Sequence, residues 1–151
     1  MGFDVFGEEP DAEVGKYFRN NVWWWRPLWE YVVDNCGLTS EQVTAGLSND
    51  GVLIDKSTAE RIAKTLKGLI EQGLTKKFEV EYMKMLDELP DEVCDLCGGT
   101  GVRNDEIVKG TCNKCDGKGK VRPFDTWYPF SEENVKNFAE FCEHSGGFRI
   151  S

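Results

Sequence analysis

The sequence predicts an α+β fold, mainly α: a compact helical domain carrying an inserted β-ribbon. Three observations point that way. Several segments carry apolar residues at helical spacing. Residues 91 to 122 break that pattern with cysteine and glycine. Core composition then returns from Phe124 onward. The expected division is therefore 1–90 and 124–151 as a helical body sharing one core, with 91–123 as the inserted module.

Taken in order, residues 1 to 26 read as irregular, because Gly2, Gly7, Pro10 and Gly15 interrupt them. Pro27 is expected to open a helix, since its missing N–H costs nothing in a first turn. Leu28, Tyr31, Val32 and Cys36 follow at helical spacing and Gly37 ends the run. A short helix follows Thr39 or Ser40 and closes at Gly46. A turn spans Ser48 to Gly51, and Val52 to Ile54 is extended. The clearest helix comes next, with Ser57 and Glu60 as a capping box and Ala59, Ile62, Ala63, Leu66, Leu69 and Ile70 on one face. Gly73 bends or stops it. A further helix from about Lys76 to Leu86 turns Phe78, Tyr82, Met83 and Leu86 inward. Ser131 caps a last helix bearing Val135, Phe138, Ala139, Phe141 and Cys142, and Phe148 to Ile150 forms a short extended tail.

The 151 residues include 18 Lys+Arg and 27 Asp+Glu, for a net charge of −9. That balance disfavours wrapping nucleic acid or lying on an anionic membrane. No stretch reaches the roughly 20 apolar residues of a bilayer span, and the acidic start lacks the basic region of a secretory signal. A cytoplasmic setting is expected. Cysteines there stay reduced, so two C-x-x-C pairs read as a zinc site rather than as a disulfide framework.

The pairs are Cys94-Asp-Leu-Cys97-Gly-Gly-Thr-Gly101 and Cys112-Asn-Lys-Cys115-Asp-Gly-Lys-Gly119. Fourteen residues separate Cys97 from Cys112, a length suited to a two-stranded ribbon that brings the pairs together. Zn(II) takes four thiolates in a tetrahedron at ~2.3 Å, which makes Cys94, Cys97, Cys112 and Cys115 the expected ligands of one structural Zn2+. The glycines after each pair permit positive φ and let backbone N–H groups turn toward sulfur. Arg103, Lys114, Lys118 and Lys120 stand near enough in sequence to offset the charge of four thiolates. From Cys94 to Arg122 six basic residues meet four acidic ones, a local +2 that leaves −11 for the remainder.

Both units fit C-x-x-C-x-G-x-G and resemble the zinc-finger repeats of DnaJ-type co-chaperones, over about a fifth of the chain. That family pairs four repeats around two zincs; two repeats imply one zinc. The HPD signature of a J-domain is absent, so the resemblance does not imply Hsp70 stimulation. It does imply polypeptide contact as the expected use of the module. The opening MGFDVFG, the block YFRNNVWWWRPLW and the ending YPFSEENVKNFAEFCEHSGGFRI resemble a family of small uncharacterised proteins of bacteria and tailed phages, which implies a bacterial or phage-infected cell as the setting.

Trp23, Trp24, Trp25 and Trp29 crowd seven positions, flanked by Arg19, Asn20, Asn21 and Arg26. Consecutive aromatics cannot all face one core. Two readings stay open: a tryptophan-rich core with arginine outside, or a pocket in which indole stacks on a ring and arginine pairs with an anion. One histidine, no G-x-S-x-G and no phosphate-loop pattern leave few catalytic constellations, so no enzyme is expected. The leading expectation is a zinc-containing binding protein with a protein partner. A nucleotide-like small molecule held by residues 19–26 is the alternative, and an acidic nucleic-acid mimic a third.

Overall fold

The computed structural model describes all residues, Met1 to Ser151. It is an α+β protein, 48% helix and 17% strand. The chain divides into two compact units: Met1–Met83 with Tyr128–Ser151, and Lys84–Trp127. Against the expected boundaries at 90/91 and 123/124, the second unit takes in the end of a helix on one side and a 3-10 turn on the other.

The first unit contains more strand than its sequence suggests. β1 (Gly2–Gly7) and β2 (Tyr17–Asn21) form where an irregular start is expected, and they pair antiparallel with Val5 opposite Phe18. The glycines sit at the ends of β1, and Phe3 and Val5 alternate inward between them. α1 (Val22–Cys36) begins five residues before Pro27, because the Asn21 side chain accepts the Trp24 N–H at 3.0 Å and caps it. Pro27 thus lies inside the helix, buried on the face toward the core. Gly37, at φ 60°, ends α1 in the left-handed region.

α2 (Ser40–Ala45) carries a complete capping box between Thr39 and Gln42. β3 (Leu53–Ile54) follows. α3 (Lys56–Glu71) is capped by Asp55, not by the Ser57/Glu60 pair: Asp55 accepts the Thr58 N–H at 3.1 Å. The expected inward face is correct: Ala59, Ile62, Ala63 and Leu66 are buried, with Leu69 and Ile70 packed at the margin. α4 (Leu74–Glu88) continues into the second unit.

α5 (Glu132–His144), capped by Ser131 as expected, packs on α3, and β8 (Phe148–Ile150) closes the sheet. The sheet order is β2-β1-β8-β3, all antiparallel. The extended tail is therefore an interior strand, flanked by β1 and β3. Phe148 and Ile150 are buried beneath it.

Aromatic side chains dominate this core. Phe3, Trp25 and Trp29 stack in sequence, at 5.4 and 5.5 Å between centroids, and Phe138 meets Trp25 edge-on at 5.5 Å. The indole N–H of Trp25 donates to the Gly46 carbonyl at 2.7 Å, and that of Trp29 to the Val43 carbonyl at 3.0 Å. Val43 lies in the last turn of α2 and Gly46 is its C-cap; the Val43 carbonyl also accepts the Gly46 N–H at 3.2 Å, so both indoles engage carbonyls at the helix end. A Cβ on Gly46 would lie 1.9 Å from the Trp29 ring, so only glycine lets the chain pass here.

The second unit has almost no apolar core. Two short ribbons frame it: β4 (Glu92–Val93) with β7 (Lys120–Val121), and β5 (Val102–Asn104) with β6 (Lys109–Thr111). The Arg122 guanidinium donates to the Leu86 and Leu89 carbonyls, each at 2.7 Å, and tethers the end of α4 to β7.

Candidate metal centre

Each C-x-x-C pair sits at the end of a strand, and the four sulfurs converge, all within 4.8 Å of one another. Cys94 and Cys112 are 3.8 Å apart at sulfur, as are Cys97 and Cys115. A tetrahedron with Zn–S bonds of ~2.3 Å has sulfur–sulfur edges of about 3.8 Å, so the spacing is that of a four-thiolate shell and is far too long for disulfides. Cys94, Cys112 and Cys115 are buried and Cys97 partly so. The donor set fits one structural metal ion such as zinc.

The two repeats relate by an approximate two-fold axis. The Cys94 N–H donates to the Gly119 carbonyl at 3.0 Å, and the Cys112 N–H to the Gly101 carbonyl at 2.9 Å. The Gly101 N–H reaches Cys97 Sγ at 3.2 Å and the Gly119 N–H reaches Cys115 Sγ at 3.2 Å. The glycine-to-sulfur hydrogen bonds expected from the motif are thus present in both halves. Gly101 and Gly119 have φ of 76° and 79°, and a Cβ on either would fall 2.4 Å from a carbonyl oxygen of the other repeat, Gly117 or Gly99. Backbone meets backbone across the axis, which leaves no room for a side chain. The symmetry breaks at Asp116, which holds φ 52° where its counterpart is Gly98; aspartate tolerates that region better than most residues.

These contacts favour thiolate. Burial opposes ionisation of Cys97, but the N–H groups of Gly101 and Gly99, with the neighbouring Cys94 and Cys115 sulfurs, outweigh it and bring the thiol down to about 6. Cys112 is lowered too, chiefly by the Cys115 N–H. Cys94 receives the Cys97 N–H, yet desolvation and contact with the Cys97 and Cys112 sulfurs leave it raised. The two lone cysteines lie in the other unit and behave oppositely: burial pushes Cys36 up to about 11 and Cys142 well above its usual value. They are core residues, not ligands.

Of the basic residues expected to offset the thiolate charge, Lys114 forms an ion pair with Asp95 and lies close enough to Cys94 and Cys112 to feel their charge. Arg103 is engaged by Asp105 at 2.7 Å and by the Asn113 side chain at 2.8 Å, and Lys120 lies 3.9 Å from Asp91.

The residues singled out at 19–26 do not converge on one cavity. Arg19 pairs with Asp4 at 2.9 Å, Asn20 exchanges side-chain hydrogen bonds with Asn134 at 2.8 and 3.1 Å, and Asn21 caps α1. Trp25 is in the core. Trp23 packs on Tyr128 at 4.9 Å, with the Arg26 guanidinium over the same Tyr128 ring at 5.2 Å. Trp24 borders a shallow polar recess with Asn20, Asn134 and Asn137. The cavity that Trp25 and Arg26 help line is about 30 Å³, room for about one water. His144 pairs with Asp11 at 2.8 Å.

Two side chains not expected at the site, Phe124 and Trp127, line an opening that Cys115 also lines. Phe124 and Trp127 read as a return to core composition, yet they are 53% and 50% exposed in a 3-10 turn (Phe124–Trp127), with ring centroids 5.2 Å apart. Their position directly after Pro123 was the available signal, since a turn there removes them from any helical face. No helix is long and apolar enough to cross a membrane. Comparisons with protein-family models, curated proteins and solved structures returned no match.

Proposed function

We propose that the chain is a non-enzymatic, zinc-stabilised binding protein that engages another protein through residues 84–127, in a bacterial or phage-infected cell. A four-thiolate shell leaves no open position for substrate, which favours a structural metal over a catalytic one. The observation that carries the reading is where the apolar side chains of this unit lie. Val93, Leu96, Val102 and Ile107 are 69%, 51%, 60% and 88% exposed, while the buried cluster consists of cysteines. The metal replaces an apolar core and leaves these side chains available for a partner, as DnaJ-type modules use theirs for polypeptides.

The test is capture from bacterial extract by the zinc-loaded chain against Val102→Ser/Ile107→Ser. The double variant should keep its metal and lose its bound protein. Equal capture by both would contradict the reading. Ligand binding by the Trp/Arg segment gains less support, since most of those side chains serve the fold. Nucleic-acid mimicry rests on net charge alone.

A further inference from the structure

An opening on the second unit lies beside the four-cysteine site, where Cys115 helps to line it, and not at the tryptophan block. It holds about 590 Å³, inside the range of small-ligand sites. Lys114, Lys118, Lys120 and Arg122 line it, against Asp91, Glu92 and Asp116. A cleft of similar size, about 660 Å³, on the other unit has two lysines against three glutamates. In a chain of net charge −9, the first cleft is the one whose lining favours an anion.

Its acidic members are partly occupied. The Asp91 carboxylate holds Arg122 at 2.9 Å and faces Lys120 at 3.9 Å, so its charge is already met within the protein. Arg122 is also fixed by the Leu86 and Leu89 carbonyls. Lys118 stands exposed between Gly117 and Gly119, whose backbone is held by the metal site. Phe124 and Trp127 also line the opening, half-exposed and in contact with each other. Basic and aromatic side chains thus line one opening.

We propose that this cleft binds a nucleoside monophosphate, with the base against Trp127 and Phe124 and the phosphate between Lys118 and Lys120. Aromatic faces stack on bases of any identity, and two lysines match the charge of a phosphate monoester. A longer strand is disfavoured, because the three lining carboxylates and the acidic chain repel added phosphates. The assignment is independent of protein docking by Val102 and Ile107.

The test is titration of the zinc-loaded full chain with AMP, GMP, CMP and UMP, read by tryptophan fluorescence and calorimetry. Adenosine, inorganic phosphate and an oligo-dT strand serve as separate arms. At least one monophosphate should bind more tightly than adenosine or phosphate alone. Trp127→Ala and Lys118→Ala should each weaken it roughly tenfold, with zinc content and thermal midpoint unchanged; the exposed Lys118 variant keeps the test valid if the tryptophan variant misfolds. Three results would overturn the proposal: no monophosphate binding below about 1 mM, parent-like binding by Lys118→Ala, or binding of the oligonucleotide alone.

Discussion

The two units bury different chemistry. In the first, stacked Phe3, Trp25 and Trp29 meet Phe138, Phe141 and Phe148, and the cysteines among them are inert thiols. In the second, the buried cluster is Cys94, Cys112 and Cys115 with Cys97 and Val121 at its edge. Burial does opposite things in the two places. Around Cys36 and Cys142 it suppresses ionisation. Around Cys97 it is overcome by backbone N–H groups that only glycine geometry can aim. A small unit that cannot enclose enough apolar area gathers four cysteines suited to one metal ion in place of a core, and its apolar side chains go to the surface instead.

Removing the metal tests this contrast most severely. Structural zinc supplies ~10–16 kcal/mol of binding free energy in comparable peptides at pH 7. Chelation, or Cys112→Ser, should abolish amide protection across β4 to β7 while leaving that of α3 and α5 in place. Next in size is Trp29→Ala, which opens a cavity in the aromatic stack and should cost about 3–5 kcal/mol in thermal unfolding without changing zinc content. The reverse pattern, zinc loss from Trp29→Ala, would erase the distinction between the units.

Gly101→Ala and Gly119→Ala probe the symmetry of the metal site. Each forces Cβ into the left-handed region, roughly 1–2 kcal/mol, and toward a carbonyl 2.4 Å away. Zinc affinity measured by chelator competition should fall at least about tenfold for either variant. A large effect in one and none in the other would break the two-fold relation.

The smallest effect belongs to the α3 cap. The Thr58 hydroxyl and N–H hold the Asp55 carboxyl below its usual range. A folded value below the unfolded one means that the cap stabilises above the ordinary carboxylate range, near pH 4, and is lost as pH falls through the depressed value. Asp55→Ala should cost about 0.5–1 kcal/mol at pH 7, at the low end because the group is exposed, and less as the pH is lowered to 2. Urea titrations at the two pH values measure this directly.

Much of this architecture was legible in residue order. The paired motif names its four ligands by spacing, the glycines announce positive φ, and the α3 and α5 faces follow from 3.6-residue periodicity. The sheet was not legible, because β1 and β8 lie at opposite ends of the chain and pair only through the fold, with Ser151 and Asp4 exchanging backbone hydrogen bonds at 2.7 and 3.1 Å. Pro27 misplaced the start of α1, since Asn21 offers a stronger cap upstream than proline offers a first turn. At α3, Asp55 prevails over Ser57 because its carboxylate answers both Thr58 donors. Phe124 and Trp127 carry core-like side chains in a segment too short and turned to bury them.

X-ray absorption at the zinc edge of the purified, reduced chain reads the ligand shell of the four-cysteine site itself. One zinc per chain with four sulfurs at ~2.3 Å is the predicted result. A shell containing nitrogen or oxygen, or a metal-free chain that retains amide protection across β4 to β7, would contradict it.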